Sequence, residues 1–254
     1  MEAIAQVPSF FRIHQFSTID STSEEAKRLS VAGAPEGTLV WALRQTAGRG
    51  RFGRSWISPR GNLYFSLLLR PGLPPQETMQ LTFVAALAVA EAISEIMPAG
   101  AVITCKWPND ILIGGKKGAG ILLESSLDGG GRVDSLVIGI GINIASHPTI
   151  EHVIYPATSL WAEGAKSETA QSMLERFCRS FLVWLDQWRE QGFVPVREAW
   201  RACAESLHRP IKVRLGGDTI AGIFADLDAT GALVLQEGSE QRLIFAGDVF
   251  PANR

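Results

Sequence analysis

Apolar positions along this 254-residue chain recur with two different periods, and the places where the period changes mark out its elements. Ser21-x-x-Glu24 and Thr22-x-x-Glu25 both read as capping boxes ahead of Ala26 and Leu29, so a helix opens at Ser21 or Thr22 and stops at Gly33. Residues 37–42 and 62–69 are short β-rich runs bounded by Gly and Pro, and they predict strands. Residues 76–97 predict one long apolar helix, ended by Pro98 and Gly100. Strands over 102–106, 110–113, 120–125 and 135–144 follow, with Gly129-Gly130-Gly131 at a hairpin tip, in the manner of an antiparallel meander rather than alternating βαβ units. Amphipathic helices over 168–191 and 196–206 are separated by Gly192 and Pro195. Beyond Pro210 the period shortens to strands at 211–215, 218–227, 231–236 and 241–246, close enough together to form a small barrel. A boundary near residue 207 divides the chain into 1–206 and 207–254.

Composition narrows the function without naming it. A hydrophobic fraction of 46% is enough for a real core, and a net charge of −2 gives no global attraction to nucleic acid or anionic membrane. No apolar run is long enough to span a bilayer, and residues 1–11 lack the features of a secretory signal. Cys105, Cys178 and Cys203 are widely spaced and form neither a C-x-x-C nor an even set, which fits a reducing cytoplasm. His14, His147, His152 and His208 show no metal-ligand spacing, so no protein-held metal is expected.

Two segments carry the chemistry. Gly48-Arg49-Gly50-Arg51-Phe52-Gly53 satisfies G-x-G-x-x-G, and with Arg54-Ser55 it approaches a P-loop, but both readings require a helix directly afterwards. Residues 55–61 cannot form that helix. What remains is a loop of flexible glycines and three arginines, mobile when empty and expected to order over an anionic ligand; alone it would pass for a solvated basic hairpin tip. The second segment is Lys106-Trp107-Pro108-Asn109-Asp110. Its proline forces a turn at a strand end and sets Asn109 and Asp110 at the rim of a sheet, while Gly118 and Gly120, beside Lys117, would let a ligand lie against the backbone.

Taken together, these segments resemble the biotin–protein ligase family. The likeness runs through Ser21-Thr22, Gln45, Gly48 to Arg51, Lys106 to Asp110, Lys117 to Glu124, Gly139-Ile140-Gly141-Ile142-Asn143 and the terminal strands. Ser23 departs from it, since the family usually has Asn there. Fewer than 25 residues precede the first helix, too few for a winged helix-turn-helix, so the resemblance is to the short, non-repressor form.

The resemblance implies an α+β fold, with a mixed, largely antiparallel sheet packed by helices like a class II aminoacyl-tRNA synthetase, and an SH3-like C-terminal barrel. It implies that biotin and ATP form biotinyl-5′-AMP, which then acylates one lysine of a biotin carboxyl carrier protein. Carried over by position, Ser21, Thr22, Gln45, Gly48, Arg49, Gly50, Arg51, Lys117 and Gly120 would hold biotin. Arg51, Arg54, Trp56, Lys106, Asn109, Asp110, Lys117 and Asn143 would face ATP, whose phosphates would carry Mg²⁺. Lys117 and Arg51 would assist the chemistry, and Asp110 would orient or deprotonate the acceptor lysine. A lipoate or octanoyl transferase and a non-catalytic biotin sensor are the competing readings. Monomer and homodimer are both compatible, and residues 135–144 would be an exposed edge through which a dimer could pair.

Overall fold

The computed structural model describes residues 5–149 and 154–252, so His152 lies outside the described residues. The larger part is a seven-stranded sheet with helices on both faces. Its strands are β1 (Arg12–Phe16), β2 (Thr38–Ala42), β3 (Leu63–Leu69), β4 (Ile103–Lys106), β5 (Asp110–Ile113), β6 (Lys116–Leu127) and β7 (Val133–Ile142), in the order β1-β2-β3-β7-β6-β5-β4. Only β1 and β2 pair in parallel, which makes the sheet mixed. Segment 135–144, expected at an edge, is instead the centre of the sheet: β7 is paired with β3 on one side and β6 on the other. Both sides of its ladder are filled, so the edges belong to β1 and β4.

Helix α1 (Thr22–Val31) covers one face. Ser21 caps it by accepting a hydrogen bond from the Glu24 amide, and Gly33, at φ +84°, ends it where a left-handed residue is needed. Ala26 and Leu29 of α1 pack on Val40, Leu68 and Val137. The opposite face carries α2 (Pro75–Thr78), α3 (Leu81–Ser94), α4 (Ala170–Gln191) and α5 (Phe193–Ala202). The single helix expected over 76–97 is broken at Met79 and Gln80: the amides of Gln80, Thr82 and Phe83 bond three residues back instead of four. Helix α3 is buried on nearly every side, because the sheet lies beneath it and α4 and α5 above. Helix α4 begins two residues later than its pattern suggested, with Thr169 and Ser172 forming its capping box, and α5 runs from Phe193 to Ala202 instead of 196–206, because Gly192 alone separates the two and Pro195 is accommodated in the first turn of α5.

The remaining strands β8 (Pro210–Leu215), β9 (Asp218–Leu227), β10 (Leu233–Glu237), β11 (Glu240–Ile244) and β12 (Asp248–Pro251) make an antiparallel five-stranded sheet, ordered β11-β10-β9-β8-β12. This is the SH3-like unit. Its core is continuous with that of the larger sheet: Phe83 of α3 packs edge-on against Trp200 of α5, which in turn meets Phe224 of β9. Trp107 is buried and donates its indole N–H to the Gly231 carbonyl at 3.1 Å. An apolar junction of this kind leaves little freedom between the parts.

Candidate active site

A cavity of about 580 Å³ opens on the α1 face of the large sheet, within the range of small-molecule sites. Side chains alternate across a strand, so β7 turns Ile138, Ile140 and Ile142 into the core and presents Gly139 and Gly141 to the cavity. Every residue assigned to biotin or ATP from the sequence lines it except Gly48. Gly48 packs inside the loop, where an added Cβ would come 2.4 Å from the Trp56 carbonyl oxygen and 2.6 Å from Ser58 Oγ. The glycine allows the turn; it does not touch the cavity.

The expectation for Gly118 also changes. Asp110 pairs with Gly120 and Ile111 with Ala119, yet Leu112 pairs with Lys117, so Gly118 is an extra residue, a β-bulge. A Cβ there would strike Ile113 on the core side. The bulge shifts the alternation by one and brings Lys117 to the cavity together with Gly120, three positions on. Against Gly120 and Gly141 lies Trp56 itself, since a Cβ at either would come within 2.9 Å of its ring, and Lys117 Nζ stands 5.4 Å from the ring centroid.

One end of the cavity is neutral. Gln45 Oε1 accepts from the Thr22 amide at 2.8 Å and from Thr22 Oγ1 at 3.1 Å, and Ser21 and Ser23 stand beside it. The other end is cationic. Arg51, Arg54, Lys106 and Lys117 of the large sheet's loops and strands converge there with Lys212 and Arg214 of β8, against only Asp110 and Asp248. Asp110 Oδ1 is 2.6 Å from Lys117 Nζ and Oδ2 is 3.5 Å from Lys106 Nζ. Burial would raise the Asp110 pKa, but the two lysines outweigh it and hold the carboxyl below its ordinary range. Burial depresses the Lys106 pKa, and Asp110 only partly offsets it.

The arginines, on a loop expected to be mobile until an anionic ligand arrives, already have partners. Arg49 pairs with Glu24, Arg51 donates to Asn109 Oδ1 at 3.1 Å and to the Gly247 carbonyl at 3.4 Å, and Arg54 lies 2.9 Å from Asp248. Asn109 also donates to the Ile121 carbonyl, and Asn143 to the Thr158 carbonyl, so both amides are engaged within the protein. Gly50 accepts no such role: its amide closes the loop by donating to the Arg54 carbonyl. At the tip, Phe52 takes φ +55°, unfavourable for a bulky residue, with the Arg51 and Arg54 guanidinia 4.7 and 5.5 Å from its ring centre.

The chain matches the biotin/lipoate A/B protein ligase family over residues 15–143 and the biotin protein ligase C-terminal domain over 207–250. It is 40% identical to the biotin--[acetyl-CoA-carboxylase] ligase of Paracoccus denitrificans over 234 residues, 91% of this chain and 97% of that protein. This chain belongs to the biotin protein ligase family. It is also 39% identical to the bifunctional ligase/repressor BirA of Bacillus subtilis, over 91% of this chain and 71% of that one. Among solved structures, the biotin protein ligase from Aquifex aeolicus in complex with biotin and ATP superposes with a TM-score of 0.82 at 30% identity, covering 95% of this chain and 99% of that one.

For a biotin protein ligase, the contribution of the C-terminal sheet is what sequence reading missed. Lys212, Arg214, Thr219, Asp248 and Phe250 all line the cavity. The alternation Ile211-Lys212-Val213-Arg214 carried a signal, since it sets both cations on one face of a strand. Ser66 was missed as well, although it is the one small polar side chain within the apolar run of β3. Ser23, passed over as a departure from the family pattern, is buried in the cavity wall.

Proposed function

We propose that this chain joins biotin to ATP, forming biotinyl-5′-AMP and pyrophosphate, and transfers the biotinyl group to a lysine of a biotin carboxyl carrier protein. The observation that carries this reading is the division of one cavity into a neutral end, built from Ser21, Thr22, Ser23 and Gln45, and a cationic end, built from both sheets. A ureido head needs neutral donors and acceptors, while a carboxylate attacking a phosphate needs its charge offset. Lys117 lies between the ends, beside Trp56 and paired with Asp110, where it can neutralise the two anions as they meet. Arg51 and Arg54 would close over the intermediate, and Lys106, Lys212 and Arg214 would face the phosphates. Trp56 would flank the ligand along the Gly120 and Gly141 backbone. Asn109 and Asn143, whose amides are already engaged, would shape the wall on the ATP side, and Gly120 would leave room on the biotin side.

Asp110 is read here as an orienter rather than a base, because a carboxyl held below its ordinary range accepts a proton poorly. Among the described residues no group of three or more His, Cys, Asp or Glu could hold a metal ion, so Mg²⁺ would arrive on the triphosphate, which it commonly does with few protein ligands. Its chemistry would be to neutralise phosphate charge. All three cysteines are free, which agrees with a reducing cytoplasm. Isotope exchange between ATP and pyrophosphate, run with biotin and then with lipoate, tests the reading. Biotin-dependent exchange followed by labelling of a carrier domain is the expected result; exchange driven by lipoate alone would overturn it.

A further inference from the structure

Behind the neutral end runs an unbroken chain of hydrogen bonds with a single possible direction. Ser58 Oγ lies 2.8 Å from the Trp56 carbonyl, which can only accept, so Ser58 donates to it. Gln45 Nε2, 3.0 Å from Ser58 Oγ, therefore donates to Ser58, and this fixes Gln45 Oε1 toward Thr22. Thr22 must then donate its hydroxyl proton to Oε1. Ser66 Oγ, 2.8 Å from Thr22 Oγ1, donates to Thr22, and Ser23 Oγ, 3.0 Å from Ser66 Oγ, donates to Ser66. Every hydroxyl proton on the floor is thus committed inward.

We propose that this one-way relay makes the floor at Thr22 and Ser23 accept hydrogen bonds only, so that it selects head groups presenting N–H donors, with Ser66 as the positioning residue. Ser66 is fully buried behind the cavity wall, donates to Thr22 and holds the Ser23 proton, through which it acts on the floor. Gly139 makes room for the relay, since a Cβ there would stand 2.6 Å from Ser23 Oγ. Ser21 lies outside it: its oxygen accepts from the Glu24 amide and its proton stays free for a carbonyl. The inference rests on the biotin reading, because a ureido ring offers two N–H groups and one carbonyl. A head group that only accepts, such as a cyclic carbonate, meets oxygen lone pairs and leaves them unpaired. That mismatch disfavours it by about a hundredfold, the cost of leaving a buried polar group without its partner.

The test compares biotin with its cyclic carbonate analogue, in which both ureido N–H groups are replaced by oxygen, in pyrophosphate exchange by wild type, Ser66→Ala and Ser66→Thr. Wild type should prefer biotin about a hundredfold. Ser66→Ala removes the acceptor that holds the Ser23 proton, so that hydroxyl can turn and donate toward the ligand; the preference should fall about tenfold through the biotin KM while the KM for ATP stays put, and Ser66→Thr should restore it. Ser23→Ala, at the head of the relay, should give a smaller loss, and thermal melts of each variant confirm folding. Binding of bare 2-imidazolidone and ethylene carbonate, followed by amide resonances of residues 22, 23 and 66, reads the floor without catalysis. Exchange that ignores biotin while imidazolidone still binds preferentially would remove the function and keep the relay. Equal binding of the two rings, or a Ser66→Ala preference equal to wild type, would overturn the relay.

Discussion

Two walls of the cavity carry an excess of positive charge, and they hold it differently. On the sheet side, Lys106 and Lys117 grip Asp110 in a pocket where all three side chains are largely withdrawn from water, on strands whose register is locked by neighbours. On the loop side, Arg49 and Arg54 are about half exposed and pair with Glu24 and with Asp248 of the second sheet. Buried pairs are costly to break because they leave a charge stranded, whereas exposed pairs are worth little and exchange partners readily. The sheet wall is therefore built to stay in place while a reaction occurs against it. The loop wall is built to let go of its carboxylates when a better anion enters.

That contrast can be broken at its strong end first. Asp110→Asn should destabilise the fold by about 3–5 kcal/mol, because it leaves the buried Lys106 without its counter-charge. A thermal melt that matches wild type would show the sheet wall to be no more rigid than the loop. Next in size, Lys117→Ala should lower adenylate formation by about 10²–10³-fold in turnover with the fold kept, as for loss of one preorganised transition-state donor. Single-turnover synthesis at the normal rate would remove Lys117 from the chemistry.

Smaller effects belong to the loop. Arg51→Ala removes bonds to Asn109 and to the Gly247 carbonyl, and it should speed escape of the reactive intermediate about tenfold. Biotin appearing on serum albumin, compared at equal adenylate production, measures that escape; equal labelling by mutant and wild type would assign the lid to Arg49, Arg54 or Trp56. Asp248→Asn frees Arg54 and should raise tryptic nicking of the empty loop only a few-fold, an effect that added salt imitates. No change in nicking would mean that Asp248 does not latch the loop.

The weakest effect expected is with pH. For Asp248, burial raises the carboxyl pKa but Arg54 outweighs it and leaves it below the ordinary 3.8. A carboxyl depressed by folding stabilises above its unfolded pKa, and that stabilisation is lost only as pH falls through the lower folded value. Loop protection should therefore be flat from pH 5 to 8 and fail only in strong acid. A transition near neutrality would point to a titrating group other than Asp110 and Asp248.

Much of this was legible because the residues concerned obey local rules. Ser21 caps α1 as its pattern required, Gly33 ends that helix, and Gly192 separates α4 from α5. The two polar segments, 48–54 and 106–110, stood out because such groups are costly in an apolar setting unless they are used. The single helix expected over 76–97 did not survive because apolarity on every side carries no period, so nothing local marked the break at Met79 and Gln80. Segment 135–144 was misplaced at an edge for a similar reason. A strand's own residues do not say how many neighbours it has.

The sequence by itself determined the elements, the chemical type of each wall and the family, since these depend on residue identity and short spacing. Only the tertiary structure decided which groups meet. The bulge at Gly118 turns Lys117 into the cavity, β8 and β12 bring Lys212, Arg214 and Asp248 more than ninety residues from Lys117 to the same space, and Gly139 admits the Ser23 hydroxyl beside Ser66. Those meetings arise from strand register and domain docking, which are settled by the packing of the whole core and leave no mark at the positions they join.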